Sequence, residues 1–254
     1  MTAWMADGPI ALSVADRERR SEDASEVVVK LRDASVSMVA LCWVDNTGVT
    51  RMKAVPVSRF VRAAGWGVGM SPVFDVFLID DSITTSKHIG GPGGDLRLIP
   101  DLHRVVPLAA QPGWAFAPVD RYTQEGREYV GCQRTFARRM TDKALEQGLT
   151  ARISFEVEWA VGTDDNGSFV PACTGPAYSM TRVIELSDYG REVVEALERE
   201  GIRVEQFHPE YAAGQLEVSI APNDPVSAAD DSVLVRQTIR AVRHLQADLF
   251  LQRQ

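Results

Sequence analysis

The alternation of apolar and polar residues predicts a chain that mixes strands with helices. Residues 38–44 are apolar, residues 45–48 have turn composition and residues 49–57 are again strand-like, which predicts a β-hairpin. Elsewhere the period changes to 3.6 residues, typical of helices with one buried face. The predicted helices span 26–34, 58–64, 135–147, 188–200 and 228–252, and further strand-like runs lie at 96–99, 105–119, 153–161, 202–207 and 215–221. Strands and helices in this mixture predict an α+β fold.

Composition along the chain predicts three parts. Residues 1–22 are polar and predict an arm with little to bury, residues 23–122 a small β-rich domain, and residues 123–254 a second domain. The glycine-rich segment 90–94 lacks the Gly-Lys-Ser/Thr ending of a P-loop, so we interpret it as a loop. In the last helix Val235, Ile239 and Val242 recur at helical spacing, which predicts a packed face.

Charge and cysteine content exclude several classes of protein. The net charge of -8 argues against nucleic acid or an anionic membrane as the main partner. Cys42, Cys132 and Cys173 are far apart and lack a C-x-x-C spacing, so neither a disulfide framework nor a zinc site is indicated. The N-terminal residues lack the apolar core of a signal peptide, and no apolar run reaches membrane-spanning length. We therefore expect a cytoplasmic protein.

Two predicted strands carry acidic residues on one face. In 153–161 the odd-numbered residues are apolar, whereas Glu156 and Glu158 point to the opposite side, roughly 6–7 Å apart by strand geometry. In 215–221 Glu217 takes the equivalent position, and Glu210 lies just upstream beside His208. Four carboxylates converging on one face would suit Mg²⁺ or Mn²⁺, which prefer oxygen ligands. Each acid could instead belong to a solvated outer face, and His208 could be purely structural.

The order of these segments resembles the glutamine synthetases and related glutamate–amine ligases. The resemblance rests on Phe-Glu-Val-Glu at 155–158, then a helix, then the segment from Val204 to Ala212 with its His-Pro-Glu, then Gly-Gln-Leu-Glu-Val at 214–218. The spacing from His208-Pro-Glu210 to Gly214-Gln-Leu-Glu217 is its most specific part. An Ala-Asp pair at 229–230 opens the last helix, and the first domain resembles the family's β-grasp unit.

The resemblance implies a fold, a reaction and a ligand set. It implies a β-grasp-like domain followed by the first half of a catalytic domain built from an antiparallel sheet and helices. Glu158, Glu210 and Glu217 match ligands of the first divalent ion, Glu156 a ligand of the second, and Glu205 a nucleotide-contacting position. In the family, ATP phosphorylates the side-chain carboxylate of glutamate and an amine then displaces the phosphate. The resemblance also implies a homo-oligomer in which the first domain of one subunit closes its neighbour's active site.

The sequence departs from the family pattern in two respects. Family members continue past the last helix into segments that supply a metal-binding histidine, arginines and a further metal-binding glutamate, none of which lies within these 254 residues. We therefore expect this polypeptide alone to be inactive or nearly so. Ammonia-using members carry an acid in an Asp-Gly-Ser-Ser segment, whereas the corresponding residues 67–74 here hold none. The amine could therefore be ammonia or a larger amine such as a polyamine or ethanolamine, and these residues do not decide between them.

Two other interpretations remain open at the level of sequence. A non-catalytic paralogue could keep a metal or nucleotide site for regulation or assembly. An unrelated α+β protein could carry acidic strands that merely face solvent. The residues assign no catalytic group within the chain.

Overall fold

The computed structural model describes residues 12–252, without the side chains of residues 164 and 244–252. The chain divides into two compact units. Unit 1 comprises the residues up to Leu108 together with Pro112–Thr150, and unit 2 comprises Ala109–Gln111 and the residues from Ala151 onward. The first unit therefore extends past the predicted boundary near residue 122.

Unit 1 is a sheet covered by helices. Its strands are β1 (Met38–Val44), β2 (Thr50–Pro56), β3 (Val68–Met70), β4 (Leu96–Pro100), β5 (Val106–Pro107) and β6 (Trp114–Tyr122), and its helices are α1 (Val14–Asp33), α2 (Val57–Trp66) and α3 (Gln133–Glu146). The sheet order is β2-β1-β6-β4-β3, with β5 on β6. β1 and β6 are parallel and the other pairs antiparallel. A core that includes Leu41, Phe60 and Leu98 is fully buried.

The expected arm is folded over the part of it that the structure describes. α1 begins at Val14 instead of residue 26, so residues 14–22 of the expected arm are helical. Ser13 and Asp16 form a capping box at its start. Arg17 donates to the carbonyl of Gly65, and Arg20 donates to that of Ala64. The polar residues are thus ordered by bonds to carbonyls distant in sequence. The first 11 residues of the expected arm lie outside the described range.

Unit 2 is a three-stranded antiparallel sheet with helices. Its strands are β7 (Glu156–Ala160), β8 (Gly162–Asp165), β9 (Ser168–Pro171), β10 (Val204–Pro209) and β11 (Gln215–Ile220), and its helices are α4 (Met180–Glu185), α5 (Ser187–Arg199) and α6 (Pro225–Gln252). The order is β10-β11-β7, which places β11 at the centre, and β8 and β9 form a separate hairpin. Val193, Leu197, Leu216, Val218 and Val235 are fully buried.

The predicted α+β class and most predicted elements are confirmed. The hairpin of β1 and β2 forms as expected. The strands and helices of unit 2 lie close to their predicted positions, apart from β8, β9 and α4, which are not among the predicted strands and helices. In α6, Val235, Ile239 and Val242 are buried, so the packed face exists there. None of the described helices has the length and apolar character needed to span a membrane.

Candidate metal centre

The central strand of unit 2 positions a row of polar side chains. Glu217 on β11 lies opposite His208 on β10 and opposite Glu158 on β7. Residues directly opposite each other in an antiparallel sheet project to the same face. The alternate residues Leu216 and Val218 are fully buried on the other face, so hydrophobic burial fixes which side the acids occupy.

Three of these groups form a compact cluster. Among the described residues, the ligand atoms of His208, Glu210 and Glu217 all lie within 4.8 Å of one another. The distance from His208 Nδ1 to Glu210 Oε1 is 3.3 Å, and that from His208 Nε2 to Glu217 Oε1 is 3.5 Å. Glu210 follows the end of β10, and its backbone N–H donates to the carbonyl of Gln215, which brings its carboxylate back over the sheet.

The chemistry of the cluster fits a divalent cation. Glu210 and Glu217 are only 6% and 7% exposed, and two buried carboxylates at short range repel each other unless positive charge or donors lie between them. His208 Nδ1 is buried and, despite its proximity to Glu210, has no hydrogen-bond partner among the residues that the structure describes. Carboxylate oxygens with an imidazole nitrogen form a set that Mn²⁺ accepts, and Mg²⁺ favours the oxygens.

Glu158 and Glu156 lie on the same sheet but outside the cluster. Glu158 is exposed and accepts a hydrogen bond from Nε2 of Gln215. Glu156 is exposed and lies opposite Ser219, one alternating position along β7. Both therefore extend the acidic row toward solvent. The structure thus brings Glu210 and Glu217 together with His208 and places the other two predicted carboxylates beside them.

Glu205 is not brought to the cluster. It falls where the register between β10 and β11 shifts, between Val204 and Gln206. Its side chain is 44% exposed, and its Oε1 accepts from Arg203 Nε at 2.8 Å. Its ion-pair partner is thus the residue two positions earlier in the chain.

Tyr178 is a site residue that the sequence does not reveal. Its hydroxyl donates to Glu210 Oε1 at 2.5 Å, and its ring stacks on His208 with centroids 5.0 Å apart. The hydrogen bond to the Glu210 carboxylate raises the pKa of the Tyr178 phenol to about 12. Its φ of 56° is unusual for a bulky residue, and such strained backbone persists only where surrounding contacts hold it.

A glycine turn connects the two halves of the cluster. Gly214 has a φ of 71°, and a Cβ at this position would lie 2.4 Å from the carbonyl oxygen of Val161. Its N–H donates to the carbonyl of Cys173 at 3.0 Å, and its own carbonyl accepts from Val161. The chain reverses direction at Gly214, and only glycine satisfies both the conformation and the close approach.

Two protein-family models match adjacent parts of the chain. The glutamine synthetase N-terminal domain matches residues 23–132, and the glutamine synthetase catalytic domain matches residues 130–247. The chain belongs to the glutamine synthetase family. The resemblance inferred from the acidic strands is therefore confirmed, and so is the fold that it implied.

Individual relatives of this glutamine synthetase family chain agree with that result. A gamma-glutamylpolyamine synthetase, GlnA3, of Streptomyces coelicolor is 55% identical over 224 residues, covering 87% of this chain and 48% of the relative. A glutamate–isopropylamine ligase of a Pseudomonas species is 28% identical over 241 residues, covering 87% and 52%. A solved structure described as a novel glutamine synthase homolog superposes with a TM-score of 0.74 at 28% identity, covering 84% of this chain and 50% of that one. The chain spans about half the length of these relatives.

Proposed function

We propose that this chain contributes the first half of the active site of an ATP-dependent glutamate–amine ligase. The observation that supports it best is the row of His208, Glu217 and Glu158 across the sheet of unit 2, with Glu210 against it. The row lies in the segment that matches the family's catalytic domain. Its carboxylates could hold the divalent ions that a ligase using ATP needs in order to neutralise phosphate charge.

The proposed reaction has two steps. The side-chain carboxylate of glutamate attacks the γ-phosphorus of ATP, which forms a γ-glutamyl phosphate and releases ADP. The nitrogen of an amine then attacks the acyl carbon, phosphate leaves, and the amine nitrogen loses a proton to form the amide. Each step develops charge on phosphate oxygens, so positioning and charge neutralisation account for much of the catalysis.

Each acidic residue has a proposed role. Glu210, Glu217 and Glu158 would hold a first divalent ion, with His208 close enough to complete that set, and Glu156 would contribute to a second. Such ions, Mg²⁺ or Mn²⁺, would screen the phosphate charges of ATP. Tyr178 holds the Glu210 carboxylate in place by donating to its Oε1. Glu205 remains our proposed nucleotide contact, and it would have to exchange its ion pair with Arg203 for that role.

We further propose that the amine is a polyamine. The relative from Streptomyces coelicolor, at 55% identity, is named for that substrate class. The acid next to residues 67–74 is Asp75, and its carboxylate is only 1% exposed. Arg121 donates to its Oδ1 and Tyr129 donates to its Oδ2, so this acid is already bound within unit 1. Because its carboxylate is already bound, Asp75 is not expected to act as the ammonium-binding acid that ammonia-using members carry.

A fusion protein tests the proposed ligase activity. Residues 1–254 would be fused to the second half of the Streptomyces coelicolor relative and assayed with ATP, glutamate, Mg²⁺ and either putrescine or ammonia. We expect γ-glutamylputrescine by mass spectrometry, in larger amount than glutamine. Glu217→Gln should lower the rate by about 100-fold, since the divalent ion that would neutralise the phosphate charge loses a carboxylate ligand.

The matched control is Glu198→Gln, because Glu198 is an exposed carboxylate on α5 away from the acidic row. A folded fusion that forms no amide with any amine would refute the ligase proposal. Equal activity of the Glu217→Gln and Glu198→Gln proteins would refute the role of the acidic row. Preference for ammonia would refute only the polyamine assignment.

A further inference from the structure

Arg182 is a buried arginine that binds four backbone carbonyls. It lies on α4 and is 4% exposed. Its Nε donates to the carbonyl of Gly175 at 3.0 Å, and its Nη2 donates to the same oxygen. Its Nη1 donates to the carbonyls of Glu210 and Ala212, the latter at 2.8 Å, and Nη2 also reaches that of Tyr211 at 3.3 Å.

These carbonyls belong to two segments that meet at the candidate metal centre. One segment, around Gly175, leads to Tyr178, whose hydroxyl donates to the Glu210 carboxylate. The other begins at Glu210 itself. A single guanidinium therefore fixes both the residue that carries the carboxylate and the segment that carries its hydrogen-bond donor.

Within the described residues Arg182 forms no ion pair, and its hydrogen-bond partners there are all carbonyls. Burying a guanidinium is unfavourable unless its donors are satisfied. Arginine has five donors in a rigid planar fork, whereas lysine offers a compact charge on a flexible stem. Arg182 uses this planar fork, because it binds at the same time carbonyls that precede α4 in the chain and carbonyls that follow it.

We propose that Arg182 is a positioning residue for the metal centre, acting through the backbone of Glu210 and the segment of Tyr178. This inference rests on the proposed function. Groups that orient metal ligands without touching the ion commonly change metal affinity by about 10- to 100-fold when they are replaced. Loss of the fork would release the Glu210 carbonyl and the strained Tyr178 backbone together, so the carboxylate would no longer be held over His208.

The test measures Mn²⁺ affinity by calorimetry in the full chain for the wild type, Arg182→Lys and Arg182→Gln. We expect both variants to bind Mn²⁺ about 10- to 100-fold more weakly per folded molecule. The matched control is Arg121→Lys in unit 1, since Arg121 is also fully buried and also donates to a carbonyl, that of Gly131. It should lower stability without changing Mn²⁺ affinity. Hydrogen exchange without metal should increase in residues 173–182 and 208–215 of the Arg182 variants only.

Wild-type affinity in folded Arg182→Lys and Arg182→Gln would overturn the proposal. Global unfolding of both variants, under conditions where Arg121→Lys stays folded, would also overturn it, because Arg182 would then serve overall stability. If the wild type binds no Mn²⁺, the proposed function fails instead. Hydrogen exchange still decides the role of Arg182 in that case, since unchanged exchange in 208–215 would exclude it as a positioning residue.

Discussion

Glu217 is the residue on which the candidate metal centre depends most. It occupies the central strand, is 7% exposed and faces both His208 and Glu158. Glu217→Gln removes one negative charge and keeps the shape, so we predict at least about tenfold weaker Mn²⁺ binding by the 254-residue chain. Calorimetric titration measures it, with Glu198→Gln as the control. Identical weak binding in all three proteins would leave no metal site at this position.

Gly214 permits a test of the turn that brings Glu210 over the sheet. Gly214→Ala should destabilise unit 2 by roughly 3 kcal/mol, from a left-handed backbone and a clash with the Val161 carbonyl. Gly201→Ala is the matched control, because Gly201 has a φ of 80° but a Cβ there would have no atom within 4 Å. That variant should lose only about 1–2 kcal/mol. Urea unfolding compares them, and equal losses would show that the close approach to Val161 has no energetic weight.

At the residue scale, strand alternation was enough to find the acidic row. Glu156, Glu158 and Glu217 share one face because the period of two in β7 and β11 leaves no other arrangement. The roles of Tyr178 and Arg182 could not be predicted from the sequence, because they depend on contacts across loops. Neither a tyrosine with positive φ nor an arginine that binds distant carbonyls leaves a periodic signal in sequence.

At the scale of elements, the capping box of α1 predicts a pH dependence. Hydrogen bonds from the Ser13 side chain and backbone lower the pKa of Asp16 from 3.8 to about 2. The folded-state pKa lies below the unfolded one, so this stabilisation is complete above 3.8 and disappears as pH falls through about 2. Asp16→Asn should therefore destabilise the chain at neutral pH and progressively less in acid.

Urea unfolding across the acid range measures the difference between wild type and Asp16→Asn. Asp23→Asn controls for loss of charge, because Asp23 is exposed on the same helix. Ser13→Ala should also destabilise α1, by about 1 kcal/mol. A pH-independent difference for Asp16→Asn would show that the capping box contributes through shape and not through the carboxylate charge.

A buried carboxylate at the end of α5, which contacts α6, predicts the opposite pH dependence. Burial raises the pKa of Glu200, although Thr238 and the Ala109 N–H both donate to its carboxylate. The folded state therefore holds a proton more tightly than the unfolded state, and stability falls as pH rises above the ordinary value of 4.5. Glu200→Gln should flatten this fall in urea unfolding, whereas the exposed Glu198→Gln should not. If stability fell with pH to the same extent in both variants, the pH dependence could not be assigned to Glu200.

Elements with a strong local signal were predictable, and those that depend on distant contacts were not. The hairpin of β1 and β2 follows from apolar runs around a turn, and α5 and α6 follow from their helical period. The start of α1 was missed because its arginines bind carbonyls of α2 and of Pro100. The six-residue α4 was missed because so short a helix has little period to detect.

At the scale of the whole molecule, local sequence patterns indicate the class of fold but not its connectivity. The parallel pairing of β1 with β6 joins residues far apart in the chain, and no local pattern specifies it. Unit 1 continues through α3 to Thr150, whereas the two family models meet at residues 130–132. The compact unit and the family domain thus differ over α3, a boundary that composition alone could not locate.

The final prediction concerns the activity of these 254 residues by themselves. They span about half the length of the relatives, so the acidic row is present while the remaining half of the relatives' length is not. Without partners for the phosphates, transition-state charge would lose contacts worth a few kcal/mol each. We therefore expect Mn²⁺ binding but no phosphate release that depends on both glutamate and amine.

A coupled phosphate assay on the purified chain, with ATP, glutamate and putrescine, measures this activity, and the fused protein provides the positive control. A reaction without glutamate measures the background hydrolysis of ATP, since only the ligase reaction requires both glutamate and the amine. Robust glutamate- and amine-dependent turnover by the chain alone, abolished by Glu217→Gln, would mean that residues outside the acidic row but within these 254 stabilise the phosphates. The arginines of this chain would then be the first groups to replace, one at a time, in search of the missing phosphate contacts.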